Sequence, residues 1–70
     1  MLPLLMAKAG EANVISAVRG RRETVRFLES MGFVSGAAIT VISELDGNLI
    51  VSVKDARVAL SKTMAAKIFI

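Results

Sequence analysis

The order of apolar and polar residues predicts one amphipathic helix over about residues 22–31, set between short strands. At about 100° per residue, the apolar side of this segment carries Thr24, Val25, Phe27, Leu28 and Met31, and the opposite side carries Arg22, Glu23, Arg26, Glu29 and Ser30. Gly32 follows, where many helices end in a left-handed residue. We therefore expect a short helix that packs on a sheet, with Leu28, Met31 and Gly32 as structural residues.

Strand patterns lie on both sides of this helix. Residues 2–7 and 13–19 precede it as an extended segment and a β-rich run, and residues 37–44, 48–54 and 57–60 follow it. Gly36 precedes the second group, and both Gly36 and Ile39 are expected to belong to the structural core. Asp46-Gly47 predicts a two-residue hairpin turn, and Asp55-Ala56 predicts a weaker one. Ser61 is expected to cap a single helical turn at 62–66.

These elements predict a mainly β fold, namely a small, partly open SH3-like β-barrel with one inserted α-helix and a short C-terminal helical turn. The last strand, at 67–70, is expected to pair with an early strand and so cover a sheet edge. No linker or internal repeat interrupts the 70 residues. We therefore expect a single domain over residues 1–70.

The composition limits the chemistry that this chain can perform. It contains no Cys and no His, which removes thiolate metal sites and the commonest general base. No Ser, Thr or Lys lies in a recognisable nucleophile–base arrangement, and the isolated glycines form no phosphate-binding loop. We therefore expect no enzyme activity and no cofactor. Residues 1–7 are apolar but far shorter than the ~20 residues of a membrane span, so a cytoplasmic location is expected.

Positive charge is concentrated around the start of the predicted helix. The formal net charge is +3, and Arg19, Arg21, Arg22 and Arg26 form the densest cationic group. One interpretation is a basic ridge that docks on an acidic partner, and the other is a solvated helix face. Nucleic acid is the weaker partner hypothesis, because three Phe and no Tyr or Trp leave few side chains on which bases could stack.

Two phenylalanines, Phe27 and Phe33, flank the end of the predicted helix. They either fill the core or form an exposed apolar pocket near Met31 that receives a side chain of a partner. With the arginines, they give a candidate partner-binding set of Arg21, Arg22, Arg26, Phe27 and Phe33. The hydrophobic fraction of 54% also leaves a homo-oligomer open.

Three carboxylates, Glu44, Asp46 and Asp55, lie in or beside the two predicted hairpin turns. Oxygen ligands of this kind suit a hard cation, but acidic residues are also ordinary turn residues. The turn interpretation is the better supported one, and no metal site is predicted.

Residues 26–39, RFLESMGFVSGAAI, resemble the signature of the FeoA family. That signature combines an arginine and a leucine in a helix, a Leu/Met-Gly-hydrophobic step, and Pro-Gly before a strand. Residues 57–60 (RVAL) and the closing Ala65, Ile68 and Ile70 extend the resemblance to essentially the whole chain. Ser35 stands where the family usually has Pro, and Asp55-Ala56 replaces a turn that often contains Gly.

The resemblance implies an SH3-like β-barrel protein of the bacterial cytoplasm. Such proteins accompany FeoB, a membrane ferrous-iron transporter with a cytoplasmic G-protein domain, and are thought to act on it by protein contact without an iron site or a small-molecule substrate. The same domain occurs at the C-terminus of DtxR-type iron-dependent repressors. The alternative function is therefore a stand-alone regulatory module related to those repressor domains, in association with nucleic acid.

Overall fold

Six short strands form two antiparallel sheets in the computed structural model, which describes residues 1–70. The four-stranded sheet has the order β1-β3-β4-β5, and the two-stranded sheet joins β2 to β6. The strands are β1 (Ala12–Val14), β2 (Ala17–Val18), β3 (Ala38–Leu45), β4 (Asn48–Val53), β5 (Ala56–Ser61) and β6 (Ile68–Phe69). The helices are α1 (Arg22–Ser30) and α2 (Lys62–Ala65), and a 3-10 turn covers Leu4–Met6.

The predicted strand at 13–19 changes sheets in its middle. The Ile15 N–H donates to the Ala37 carbonyl at 2.9 Å, whereas the next N–H, that of Ser16, donates to the Phe69 carbonyl at 2.8 Å. Ser35 supports this corner, because its hydroxyl donates to the Ser16 carbonyl at 3.1 Å. One run of chain therefore belongs to both sheets, and the predicted partly open, SH3-like β fold is confirmed.

Strand alternation builds the core. In β4, Leu49, Val51 and Val53 are buried while the residues between them are partly exposed, as expected for a sheet with one covered face. The core consists of twelve apolar side chains from all parts of the chain: Leu4, Ile15, Leu28, Phe33, Ile39, Val41, Leu49, Val51, Val53, Leu60, Ala65 and Ile68. No polar side chain is buried.

The two hairpin turns follow the prediction to different degrees. Asp46 (φ 51°) and Gly47 (φ 78°) form the predicted turn between β3 and β4. The turn between β4 and β5 uses Lys54 (φ 49°) and Asp55 (φ 62°), so the predicted Asp55-Ala56 turn is wrong by one residue. The reason is the register of the sheet: Val53 pairs with Ala56, which leaves only Lys54 and Asp55 to reverse the chain.

The N-terminal segment is extended over a shorter length than predicted. Leu2 and Ile70 exchange backbone hydrogen bonds of 2.8 and 2.7 Å, and Pro3 forms a bridge with Phe69. The chain then turns into the 3-10 segment instead of remaining extended to residue 7. The predicted pairing of the last strand with early strands is nevertheless present, because β6 lies between this segment and β2.

The helices end and begin as the sequence indicates. The Ser61 hydroxyl caps α2 by accepting from the Met64 N–H at 3.2 Å, and α1 ends within one residue of its predicted limit. Neither helix has both the length and the apolar character that crossing a bilayer requires.

Candidate interaction surface

The three predicted partner-binding arginines lie at the start and on the outer face of α1. Arg21 is the N-cap residue, in extended conformation, and makes no side-chain cap hydrogen bond. Arg22 and Arg26 lie one turn apart, and residues four apart on a helix are neighbours on its surface. All three side chains are exposed. The helix therefore presents a short cationic row to its surroundings.

These arginines have no carboxylate partner. The only ion pair in the structure joins Lys62 Nζ to Glu44 Oε2 at 3.0 Å. Glu23 and Glu29 lie on the same helix as Arg26, but no carboxylate oxygen of theirs comes within 4.0 Å of a guanidinium nitrogen. The cationic row thus makes no ion pair within the chain, so an acidic partner would not have to displace one.

Phe27 adds an aromatic side chain to this surface. It lies at the edge of the apolar side of α1 and remains 54% exposed, whereas the next residue, Leu28, is completely buried. Leu28 therefore anchors the helix in the core. Phe27 lies about 100° from Leu28 around the helix axis and stays at the surface. Exposed aromatic side chains and arginines are both enriched in protein interfaces.

Phe33 does not belong to this surface, and its inclusion in the partner-binding set was wrong. Its side chain is 0% exposed. The cause is the end of α1: the Gly32 N–H donates to the Glu29 carbonyl at 2.9 Å, and the Phe33 N–H donates to the Leu28 carbonyl at 3.1 Å. This is a Schellman motif. It folds the chain back beneath the helix, and Phe33 and Leu28 both lie in the core.

The predicted structural residues fall into two groups. Leu28 and Ile39 are buried, and Met31 is partly buried and packed against the core. Gly32 and Gly36 are instead turn residues with φ of +99° and +91°. Gly36 is exposed, so its assignment to the core was wrong. Its role is the corner before β3, where its N–H donates to the Ile15 carbonyl at 2.8 Å.

The carboxylates considered for a cation site do not converge. Asp46 and Asp55 lie in turns at opposite ends of β4, and a six-residue strand is about 20 Å long. Glu44 is held by Lys62. No group of three or more carboxylate, His or Cys side chains is close enough to hold a metal ion. Asp55 therefore lies far from Glu44 and Asp46, and the three carboxylates do not form one cluster.

Some surface features were missed by sequence reasoning because they depend on strand pairing. A shallow depression of about 290 Å³ lies on the outer face of β3 and β4, lined by Ala37, Ala38, Thr40, Ser52, Lys54 and Asp55. The Arg19 guanidinium carbon lies 5.6 Å from the centre of the Phe69 ring. Periodicity within one segment could not have indicated either arrangement.

Comparison with known proteins gives a consistent result. The FeoA domain model matches residues 2–70. A relative from Methanocaldococcus jannaschii, named as an Fe(2+) transport protein A, is 31% identical over 70 residues, which cover 100% of this chain and 85% of the relative. A crystal structure described as an iron uptake regulatory protein (FeoA) is 28% identical and superposes with a TM-score of 0.86, covering 96% of this chain and 91% of the other.

More distant structures share the fold. A Stenotrophomonas maltophilia FeoA crystallised with zinc and described as a prokaryotic SH3-domain protein has a TM-score of 0.85 at 21% identity, over 99% of this chain and 88% of the other. A manganese-dependent transcriptional repressor has a TM-score of 0.83 at 20% identity, over 94% of this chain but 38% of the repressor. The match over residues 2–70 and the 31% identical relative establish that this chain belongs to the FeoA domain family, a family of ferrous iron transport accessory proteins.

Proposed function

We propose that this chain acts in ferrous iron uptake by direct contact with the cytoplasmic part of a FeoB transporter. The observation that carries the proposal is the outer face of α1, where Arg21, Arg22 and Arg26 have no carboxylate partner and Phe27 is 54% exposed. Membership of the FeoA family supplies the transport context. The protein would then work in the cytoplasm, at the inner face of the membrane where its partner lies.

The mechanism is binding without catalysis. Arginines steer an acidic partner towards the face and fix its orientation, and an aromatic side chain that becomes buried in the interface supplies much of the affinity. A protein that binds one conformation of the transporter better than another shifts the balance between them. The accessory role therefore needs no active site in this chain.

The test is a binding titration with the isolated G-protein domain of a cognate FeoB at low salt. Wild-type protein is expected to bind saturably, and the double variant Arg22→Glu, Arg26→Glu is expected to bind about tenfold more weakly. Phe27→Ser should also weaken binding, because it removes an aromatic anchor. All of these side chains are exposed, so the variants should fold like the wild type.

A matched control separates this face from net charge. Lys8→Glu with Arg57→Glu makes the same change in net charge at exposed residues outside α1, and it should bind like the wild type. Equal weakening by both double variants would show that overall charge, not the α1 face, governs the contact. If no saturable binding to the G-protein domain is found, the proposed contact with that domain is wrong.

One observation favours a second candidate, a regulatory module that associates with nucleic acid. The fold resembles that of a manganese-dependent transcriptional repressor, with a TM-score of 0.83, although that likeness concerns the fold alone. Random duplex DNA is therefore the parallel ligand in the titration. Binding to DNA with a steep salt dependence, together with no binding to the G-protein domain, would select this candidate.

A further inference from the structure

One long strand of the fold has an uncovered edge. The four-stranded sheet has the order β1-β3-β4-β5, so β1 and β5 are its edge strands. β1 has three residues, whereas β5 has six and pairs with β4 over its whole length without a register shift. The principal neighbours of β5 are β4 and α2, and no strand lies on its other side.

The register shows which backbone groups of β5 point away from the sheet. Val53 and Ala56 flank the two-residue turn, whose residues both have positive φ, and a pair in this position exchanges two hydrogen bonds. From Ala56 onward, every second residue of β5 therefore faces β4. The residues between them direct their N–H groups to the free edge. They are Arg57, Ala59 and Ser61, and no backbone hydrogen bond outside the regular elements involves them.

The edge of β5 lacks the features that usually prevent strand pairing. Edge strands of natural proteins are protected by short length, proline, β-bulges or several charged side chains. β5 contains one charged residue, Arg57, and neither a proline nor a bulge. The middle of its free edge is Ala59, a small and exposed residue. An edge of this kind is a template for another extended strand.

The sequence of β5 is complementary to itself in one register. Around a two-fold axis at Ala59, this residue would lie opposite its own copy, and Arg57 would lie opposite Ser61. All three outward-facing residues then have a strand residue opposite them. An axis at Val58 would leave Ser61 without one, and an axis at Leu60 would leave Arg57 without one. In the register centred on Ala59, the only charged side chain of the strand faces a hydroxyl, so no like charges meet.

Apolar side chains on both faces of the sheet continue across this axis. Ile50 of β4 is partly exposed and pairs directly with Ala59, so Ile50 and Ala59 of both copies would form one row. On the other face, the partly exposed Val58 would lie opposite Leu60 of the second copy. Pairing would remove this apolar surface from water. A second copy therefore matches the edge in hydrogen bonding, charge and apolar contact.

We propose that the free edge of β5 binds β5 of a second copy of this chain in antiparallel orientation, which joins the two four-stranded sheets into one of eight strands. The paired region, Arg57 to Ser61, is about 17 Å long. It is smaller than a standard protein interface, so the dimer is weak and reversible, with a Kd on the order of 100 μM. A two-fold pair of this kind is closed and does not grow into a filament.

This proposal does not rest on the contact with FeoB, since the α1 face lies on another element. The first experiment is sedimentation equilibrium of the wild-type protein alone, from ~10 μM to ~1 mM, a range that brackets the expected Kd. The mean mass should rise from that of the monomer towards that of the dimer. Exchange of the Ala59 N–H with solvent should become slower as the concentration rises. A protein that remains monomeric over the whole range would overturn the proposal.

Charged variants at Ala59 test the two-fold axis itself. Ala59→Glu and Ala59→Lys each place two like charges directly opposite each other, so each variant alone should associate about fivefold more weakly than the wild type. A mixture of the two should recover the association, because opposite charges then meet across the axis. Ala59 is exposed, so both variants should fold. Unchanged association of the single variants, or no recovery in the mixture, would overturn the proposed pairing.

Ala12 provides the matched control, because it is exposed on β1, the other edge strand of the same sheet. Ala12→Glu and Ala12→Lys change the net charge by the same amounts as the variants at Ala59. Each should associate like the wild type, and their mixture should associate no more strongly. Equal weakening at both positions would show that overall charge governs the association. Weakening at Ala12 alone would assign the contact to β1.

A last variant separates a second copy from a strand of another protein. Ala59→Pro removes the N–H at the centre of the free edge, a place where an edge strand tolerates proline, and it should abolish the dimer. The double variant Arg22→Glu, Arg26→Glu should dimerise like the wild type even where it no longer binds the G-protein domain. If the wild type stays monomeric and Ala59→Pro weakens binding to that domain, the edge receives a strand of the transporter and the assignment to a second copy is wrong.

Discussion

Gly32 at the end of α1 offers a stability prediction whose two causes can be measured separately. Its φ of +99° is a conformation that side chains with a Cβ rarely adopt, and a Cβ built there would lie 3.2 Å from Lys54 Cδ and 3.3 Å from Lys54 Cγ. Gly36 is the matched position, since its φ is +91° but nothing lies within 4 Å of an added Cβ. Gly32→Ala therefore combines backbone strain with a steric contact, and Gly36→Ala has the strain alone.

The expected sizes follow from these contacts. A left-handed conformation costs an L-residue about 1–2 kcal/mol, so Gly36→Ala should lower the free energy of unfolding by that amount. Gly32→Ala should lower it by about 2–3 kcal/mol, the additional ~1 kcal/mol being a coupling of the size measured between residues in contact. In a domain of this size, 1 kcal/mol corresponds to a change of about 4–8 °C in Tm.

The assay is a double-mutant cycle with Lys54→Ala, followed by urea unfolding and by thermal unfolding in circular dichroism. Lys54→Ala removes all three side-chain atoms that lie within 4 Å of the new Cβ, so in that background Gly32→Ala should cost no more than Gly36→Ala. If Lys54→Ala leaves the cost of Gly32→Ala unchanged, the lysine stem does not contribute. If Gly36→Ala proves neutral, the argument from positive φ fails at both positions.

Three further stability predictions use the same unfolding measurements. Leu28→Ala should cost about 3–5 kcal/mol, because Leu28 is the one fully buried residue of α1; a loss below ~1 kcal/mol would show that the helix is not anchored there. Asp55→Gly should stabilise by about 0.5–1 kcal/mol, since Asp55 has φ of 62° at the second turn position that favours Gly; a lower Tm would contradict this. Ser61→Ala should cost about 1 kcal/mol by removing the cap on the Met64 N–H, and Ser61→Asp, which can accept the same hydrogen bond, should retain most of the stability.

One short run of basic residues, Arg19-Gly20-Arg21-Arg22, is divided between two elements. Arg19 belongs to the small sheet, whereas Arg21 and Arg22 begin α1. Gly20, with φ of +144° and the Lys67 stem against it, turns the chain between them.

Local features of this fold could be predicted because their causes lie within a few residues. The helix followed from the spacing of Val25, Leu28 and Met31, the first hairpin from Asp46-Gly47, and the second helix from the Ser61 cap. Turn chemistry and periodicity act over distances that a single segment spans. The resemblance to the FeoA family, which the comparisons confirm, depended on the same segment-level features.

The candidate site was only partly predictable, because tertiary packing decides which of its residues are exposed and which are buried. Phe27 and Phe33 looked alike in the sequence, yet the Schellman motif at Gly32 directs Phe33 into the core while Phe27 stays outside. Whether an arginine has a carboxylate partner likewise depends on side-chain positions that the order of residues does not specify.

Long-range pairing decided the rest. The division of the strand at Ile15 and Ser16 arises because the two residues find partners in different sheets, and the one-residue shift of the second turn arises because Val53 pairs with Ala56. The opposition of Arg19 and Lys67 joins residues 48 positions apart in the chain. Local propensity is insensitive to such contacts, since their energies appear only when the strands meet.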